Sequence, residues 1–163
     1  MTRPATLREK HDGALDDRGS VRLWLRLLTC TTVIEKRLKR GFADQYDITL
    51  PRFDVMAALD RHPEGMTMGQ LSQALLVSNG NVTGVVQVLV RDRYVSLTPS
   101  PTDGRSSVAR LTQLGRECFA GLAEAHHEWI EAMLARLGRE ERGQLHQLLG
   151  LLKDSLAADG EKV

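Results

Sequence analysis

At 163 residues, 42% of them hydrophobic, the chain is long enough for one compact core, or for a small domain carrying extra helices. A formal net charge of +1 gives no general attraction to nucleic acid, so any such partner must depend on where the arginines are placed. No apolar run approaches a membrane span and segment 1–17 is polar, without the apolar core of a signal peptide, so the expectation is a flexible N-terminal arm, no membrane partner and a cytoplasmic location.

From Ser20 to Phe42 the residues Trp24, Leu27, Leu28, Ile34, Leu38 and Phe42 recur at helical spacing, with Arg22, Arg26, Glu35, Lys36 and Lys39 on other faces, which predicts a long helix. Thr49-Leu50-Pro51 predicts the start of a second helix, since Thr caps and Pro is tolerated in a first turn. Phe53, Met56 and Leu59 mark its inner side, and His62-Pro63 stops it.

Thr67 opens a third helix, its hydroxyl capping free N–H groups while Gln70, three residues on, reaches back to the cap residue. Leu71 and Leu75 share a face, and Ser78-Asn79-Gly80-Asn81 is rich in caps and turn formers, so a fourth helix begins there. Val82, Val85, Val86, Leu89 and Val90 form its buried stripe. Asn79, Asn81, Thr83 and Gln87 are left near the other faces, and such side chains suit base edges: Asn and Gln bond adenine in pairs, and Thr offers a hydroxyl and a methyl. Gly80 and Gly84 remove bulk where a helix would approach phosphates. Taken alone, the segment fits equally well a buried Val-rich helix with polar edges.

The next segment decides between these readings. Arg91-Asp92-Arg93-Tyr94 ends the helix, Val95 to Thr98 alternates like a strand, Pro99 to Gly104 turns, and Ser107 to Leu111 alternates again. Helix, helix and a two-stranded wing in this order predict a winged helix-turn-helix. Arg105 on the projecting tip can enter a narrow minor groove, held by Asp103 through a charge-assisted bond. Arg91, Arg93, Arg105 and Arg110 cluster here and supply the local positive charge.

Thr112 to Gly138 predicts another helix, with Leu114, Cys118, Leu122, Trp129, Met133 and Leu137 on one stripe. Arg139-Glu140-Glu141 begins the last, its acids placed well for the helix dipole, with Leu145, Leu148, Leu149, Leu152 and Leu156 along it. The terminal helices carry more apolar stripe than one small winged domain covers, and a homodimer accounts for the excess.

Chemistry of other kinds finds little support. There is no nucleophile elbow, phosphate-binding loop followed by Lys, or His-Glu-x-x-His, so no catalytic residue is assigned and no enzyme is expected. Cys30 and Cys118 lie far apart without a Cys-x-x-Cys, and as members of apolar stripes they are expected to be buried, inert thiols. His126-His127 is adjacent rather than at i, i+4, so neither a metal site nor a cofactor is assigned. A redox- or metal-responsive regulator, or a winged-helix adaptor that binds protein, are the alternative readings.

The words Gln70-Leu71-Ser72-Gln73-Ala74-Leu75, Ser78-Asn79-Gly80-Asn81-Val82-Thr83-Gly84-Val85-Val86, Leu89-Val90-Arg91-Asp92-Arg93-Tyr94-Val95, Asp103-Gly104-Arg105 and Leu111-Thr112-Gln113-Leu114-Gly115 resemble the MarR (multiple antibiotic resistance regulator) family. The resemblance runs from about Ser20 to about Leu156, with one departure: Ser96-Leu97-Thr98 stands where the family usually has an arginine after the tyrosine-containing helix end. It implies a mainly α fold, with a winged helix-turn-helix at 48–111, a small two-stranded β wing, and helical dimerisation segments at 18–47 and 112–158 behind the 1–17 arm. It also implies a homodimeric transcriptional regulator, in all expectation a repressor, on an inverted-repeat operator in double-stranded DNA. The expected DNA contacts are Thr67, Ser78, Asn79, Asn81, Thr83, Gln87, Arg91, Asp103, Arg105 and Ser106. A small-molecule effector, an aromatic carboxylate or its acyl-coenzyme A thioester, is expected near Arg22, Trp24, Arg26, Cys30, Arg52, Phe53 and Met56, an arginine meeting the carboxylate while apolar side chains cover the ring.

Overall fold

The computed structural model describes residues 19–100 and 106–158. Six helices and three short strands follow one another as α1 Gly19–Tyr46, α2 Leu50–Asp60, β1 Met66–Thr67, α3 Met68–Leu75, α4 Asn79–Arg91, β2 Val95–Pro99, β3 Ser107–Leu111, α5 Gln113–Leu134 and α6 Arg139–Ala158. The chain divides into two compact units, the first ending at His126 and the second beginning at His127.

In the first unit the core is built from Phe42 of α1, Val55, Met56 and Leu59 of α2, Leu71 of α3, Val82, Val86 and Leu89 of α4, and Leu122 of α5, all almost fully buried. An aromatic stack sits at one end, where Phe53 lies 4.6 Å from Phe42, 5.6 Å from Phe119 and 4.8 Å from the His126 ring, centroid to centroid. These are the offset distances at which aromatic rings attract beyond simple area burial. Pro51 stands in the first turn of α2 as its sequence implied, but the Thr49 side chain makes no capping hydrogen bond; the backbone N–H groups of Arg52 and Phe53 go to the Thr49 carbonyl instead.

The wing is a three-stranded antiparallel sheet in the order β1-β3-β2, so the expected two-stranded wing gains a strand. Met66 and Thr67 pair with Ala109 and Val108, a two-residue strand too short to carry any alternation that a sequence pattern reveals. Gly65, at φ +89, makes the turn into it, and a Cβ there would lie 2.6 Å from the Ala109 carbonyl oxygen, so the tight turn requires glycine. The 95–99 and 107–111 strands pair in the register Val95↔Leu111 and Leu97↔Ala109, and Arg110 donates across the hairpin to the Thr98 hydroxyl at 2.7 Å.

The hairpin is anchored to α5 by Thr112. Its hydroxyl donates to the Arg93 carbonyl at 2.8 Å and accepts from the Gly115 N–H at 2.9 Å, capping the helix. Gly115 allows a very close approach, because a Cβ on it would fall 2.0 Å from the Tyr94 carbonyl oxygen.

In the second unit, Arg142 of α6 donates to the Leu134 and Leu137 carbonyls at 3.0 and 3.1 Å and pairs with Glu131 at 2.7 Å. It thereby occupies orphan carbonyls at the end of α5. Glu140 and Glu141 stand in the first turn of α6, as expected, while α5 ends at Leu134, four residues short of the expected Gly138. Within the protomer the leucines of α6 are exposed: Leu148 at 63% and Leu156 at 66% are the extreme cases.

Candidate nucleic-acid interface

Two short helices joined by a turn form the centre of the site. Thr67 caps α3 in a full capping box: the Gln70 N–H donates to the Thr67 hydroxyl at 3.2 Å, and the Thr67 N–H donates to the Gln70 side chain at 2.8 Å. Helix α3 ends at Leu76, which takes the left-handed conformation at φ 54 and is 91% exposed, with the Val77 N–H returning to the Ser72 carbonyl at 3.1 Å. This is the Schellman closure, made here without glycine. The chain turns through 111° between α3 and α4, within the roughly 90–120° of a helix-turn-helix with its three- to four-residue turn.

Ser78 caps α4, its hydroxyl accepting from the Asn81 N–H. The same closure that ends α3 ends α4, with Arg93 at φ 63 and the Tyr94 N–H on the Leu89 carbonyl at 2.9 Å. With Val82, Val86 and Leu89 turned into the core, a helical advance of about 100° per residue puts Gly80, Gly84, Gln87 and Arg91 on the directly opposite face. Gly80 and Gly84 have open space where a Cβ would stand. That face is therefore flat, exposed and basic at its C-terminal end.

Between this face, the start of α3 and the wing lies an open cleft of about 610 Å³. It gathers Thr67, Thr83, Gln87 and Ser106, four of the residues expected to touch DNA. Met68 and Gly69 line it too, and their first-turn N–H groups have no intrahelical acceptor, so the positive end of a helix dipole adds to the hydroxyls. Among the described residues, no acidic side chain lines the cleft. Hydroxyls, an amide and helix-terminal N–H groups in one concavity are the donors that a phosphodiester backbone recruits.

A family model for the MarR family matches residues 46–106. A crystal structure of a MarR family transcriptional regulator from Silicibacter pomeroyi shares 33% identity, with a TM-score of 0.74 over 86% of this chain and 99% of that one. The chain belongs to the MarR family. Among sequence relatives, the transcriptional activatory protein BadR of Rhodopseudomonas palustris is 32% identical over 105 residues, which are 63% of this chain and 59% of BadR's own length. A MarR family regulator of Streptomyces coelicolor, solved in complex with DNA, has the same fold, with a TM-score of 0.76 at 19% identity over 89% of this chain and 92% of that one. These MarR-type relatives are transcriptional regulators rather than enzymes.

Within this MarR-type frame the expected contacts divide. Thr83 and Gln87 face the wing-side cleft, and the Thr83 hydroxyl donates back to the Asn79 carbonyl at 2.8 Å. Asn81 lies on the opposite flank and lines a separate groove shared with α1 and α2. Ser78 and Asn79 are exposed at the start of α4, and Arg91 is exposed at its end. Asp103 and Arg105 lie outside the described residues.

The expected effector residues lie at several places in the fold. Phe53 and Met56 are core, at 6% and 0% exposure. Arg22, Trp24, Arg26 and Cys30 lie along the N-terminal half of α1, where Trp24 is 59% exposed. Cys30 is exposed and Cys118 is half-buried, which corrects the expectation that both are buried: among the described residues nothing covers the Cys30 face of α1.

Arg52 instead lines a polar recess of about 280 Å³ with Tyr46, Asp92, Tyr94, Cys118 and Leu122. Its guanidinium forms an ion pair with Asp92, the residue that caps the C-terminus of α4. The Cys118 sulfur, hydrogen-bonded to the Tyr94 hydroxyl, pushes the Tyr94 pKa up. Asp92 is a residue whose pairing the sequence does not reveal: its position at the helix end is visible there, but its partner 40 positions away is not.

Proposed function

We propose that the chain is a sequence-specific DNA-binding transcriptional regulator that sits on an inverted-repeat operator as a homodimer, with α4 in the major groove and the wing along the adjacent backbone. The observation that carries this reading is the cleft uniting the start of α3, the outer face of α4 and the wing, whose described lining residues are hydroxyl, amide and apolar side chains with helix-terminal N–H groups. Thr67, Ser106 and the first-turn N–H groups of α3 are assigned to phosphates, Thr83 and Gln87 to base edges, and Arg91 to the backbone. Arg105, with Asp103 beside it, is assigned to the minor groove, and Ser78, Asn79 and Asn81 to the N-terminal approach of α4. Winged domain 48–111 does the reading in this scheme; 18–47 and 112–158 join the two protomers, leaving 1–17 as an arm.

Dimerisation is supported by the exposed leucines of α6 and, separately, by Val21, Leu23, Trp24 and Leu28 exposed on α1, apolar side chains of the kind that interfaces cover. A two-fold dimer presents two recognition helices to half-sites about 34–36 Å apart on one face of B-DNA. Where the operator overlaps a promoter, occupancy represses by excluding polymerase; BadR's description as activatory shows that a relative can work with the opposite sign.

The effector reading rests on the Arg52–Asp92 pair. An aromatic carboxylate, or a thioester of the same acid, competes with Asp92 for the guanidinium while Leu122 covers its ring. Displacing the residue that caps α4 alters the end of the recognition helix, and a ligand that favours the altered state lowers operator affinity. Fluorescence-anisotropy titration against the chain's own upstream DNA at fixed salt, with and without a panel of aromatic acids and their thioesters, tests both parts. Tight binding released by one compound supports the whole reading. Tight binding that no compound disturbs removes the effector, and absence of binding removes the DNA reading itself.

A further inference from the structure

We propose that the groove between α1, α2 and the N-terminal half of α4 is a binding site for a lipophilic organic cation, distinct from the Arg52 recess. The groove holds about 480 Å³, within the range of about 300–1,000 Å³ that accommodates drug-sized molecules. Its walls are apolar on three sides: Leu50, Pro51 and Val55 from α2, Leu75 and Val77 around the end of α3, and Val82 and Val85 from α4.

Charge sets the class of occupant. Among the described residues, three charged side chains line the groove, Glu35 and Lys39 from α1 and Asp54 from α2; the lining residues of α3 and α4 bring none. Glu35 is already neutralised by Lys39 at 2.7 Å. Asp54 is half-buried and makes no hydrogen bond or ion pair among the described residues, so the groove carries one uncompensated negative charge against an apolar wall. Burial, with Glu35 adding to it, raises the Asp54 pKa above its ordinary value, so the site as it stands disfavours its own anion. A cation beside the carboxylate relieves that penalty, and aryl or alkyl groups on the cation bury against the valines and leucines. A hard metal ion is a poor fit, because it demands several oxygen ligands and this groove offers one free carboxylate. An aromatic acid is excluded by the same charge that attracts the cation.

The floor of the groove gives the site a consequence. Asn81, Val82 and Val85 belong to the first half of α4, so an occupant touches the recognition helix from the side away from the wing cleft. Binding of the cation is thereby coupled to the placement of Ser78, Asn79 and Asn81.

The test uses the full chain and two ions of the same shape and opposite charge, tetraphenylphosphonium and tetraphenylborate, followed by titration calorimetry. The expected result is saturable binding of the phosphonium up to millimolar concentration, with the borate at least tenfold weaker. Asp54→Asn should weaken phosphonium binding at least tenfold while leaving its circular dichroism spectrum and ligand-free DNA binding intact. Val85→Trp, which fills the groove without touching the charge, should abolish binding in a protein that still melts cooperatively. Affinity for the phosphonium should rise with pH as Asp54 ionises, with Glu35 and Lys39 the other titratable groups facing it. Equal affinity for both ions places the binding on exposed leucines and overturns the proposal. So does retention of phosphonium affinity in Asp54→Asn, and so does an absence of phosphonium binding.

Discussion

Replacing Gly84 by Ala separates what the recognition helix needs for its own stability from what it needs for DNA. Gly84 lies in the interior of α4, two residues and therefore about 200° from the buried Val82, and a Cβ there meets no atom within 4 Å. Ala is favoured over Gly in a helix interior by roughly 1 kcal/mol, and with no clash to offset it the variant should be more stable by about that amount. For a chain of this size that corresponds to a rise in Tm of roughly 2–4 °C, at matched protein concentration. Against DNA the sign reverses. If the Gly80-Gly84-Gln87-Arg91 face lies in the major groove, the new methyl meets a surface packed to van der Waals contact, and overpacking of that kind costs roughly 1–3 kcal/mol, which is about 5- to 150-fold in Kd. Thermal melts and anisotropy titrations of the same two preparations measure both effects. A stabilised variant that binds operator with unchanged affinity would refute the placement of this face against DNA. Gly115→Ala provides the contrast: its Cβ would meet the Tyr94 carbonyl oxygen at 2.0 Å, a backbone atom that cannot swing aside, so that variant should lose stability by about 2 kcal/mol or more.

Asp92→Asn should destabilise the chain by roughly 1–3 kcal/mol, since it leaves the partly buried Arg52 charge without its carboxylate; Arg52→Met should cost less, because Asp92 keeps its pair with Arg91, and the double variant should lose less than the sum in a denaturant double-mutant cycle. Asp54→Asn should raise the Tm at pH 7. A folded-state pKa above the unfolded value means that wild type loses stability as pH rises from the ordinary carboxylate range through that raised value, so the variant's advantage should vanish below about pH 4, where both states are protonated. Leu148→Lys with Leu152→Lys should convert a species of twice the 18.1 kDa chain mass into monomer in sedimentation equilibrium and weaken operator binding with it; an unchanged mass would remove α6 from the dimer interface.

Most of the winged motif was legible in the sequence because its signals are local. The capping box at Thr67, the cap at Ser78 and the pairing of 95–99 with 107–111 depend on residues within one turn or one strand, and the structure shows them; of the α4 stripe Val82, Val86 and Leu89 are buried while Val85 and Val90 are half-buried, and 95–98 is exposed after Val95 rather than alternating. What escaped was fixed by contacts distant in sequence. Strand β1 is two residues long and exists only because β3 is there to pair with it. Sequence alone leaves Arg52 free to meet a ligand, whereas in the fold it is held by Asp92, 40 positions away. Asn81 was grouped with Thr83 as a neighbour in sequence, but a helical step of about 100° per residue sends the two to opposite flanks of α4. Cys30 illustrates the same limit in another form: an apolar periodicity on α1 does not reveal that the thiol is left exposed among the described residues.

Selection of bound sites from a pool of random duplex DNA tests the central claim most directly. The account predicts enrichment of an inverted repeat whose half-site centres lie about one helical turn, 10–10.5 base pairs, apart, with the preference relaxed at one symmetric pair of positions when Gln87 is replaced by Ala. A pool that remains random after selection, or one enriched in the same sequences by wild type and Gln87→Ala alike, would contradict it.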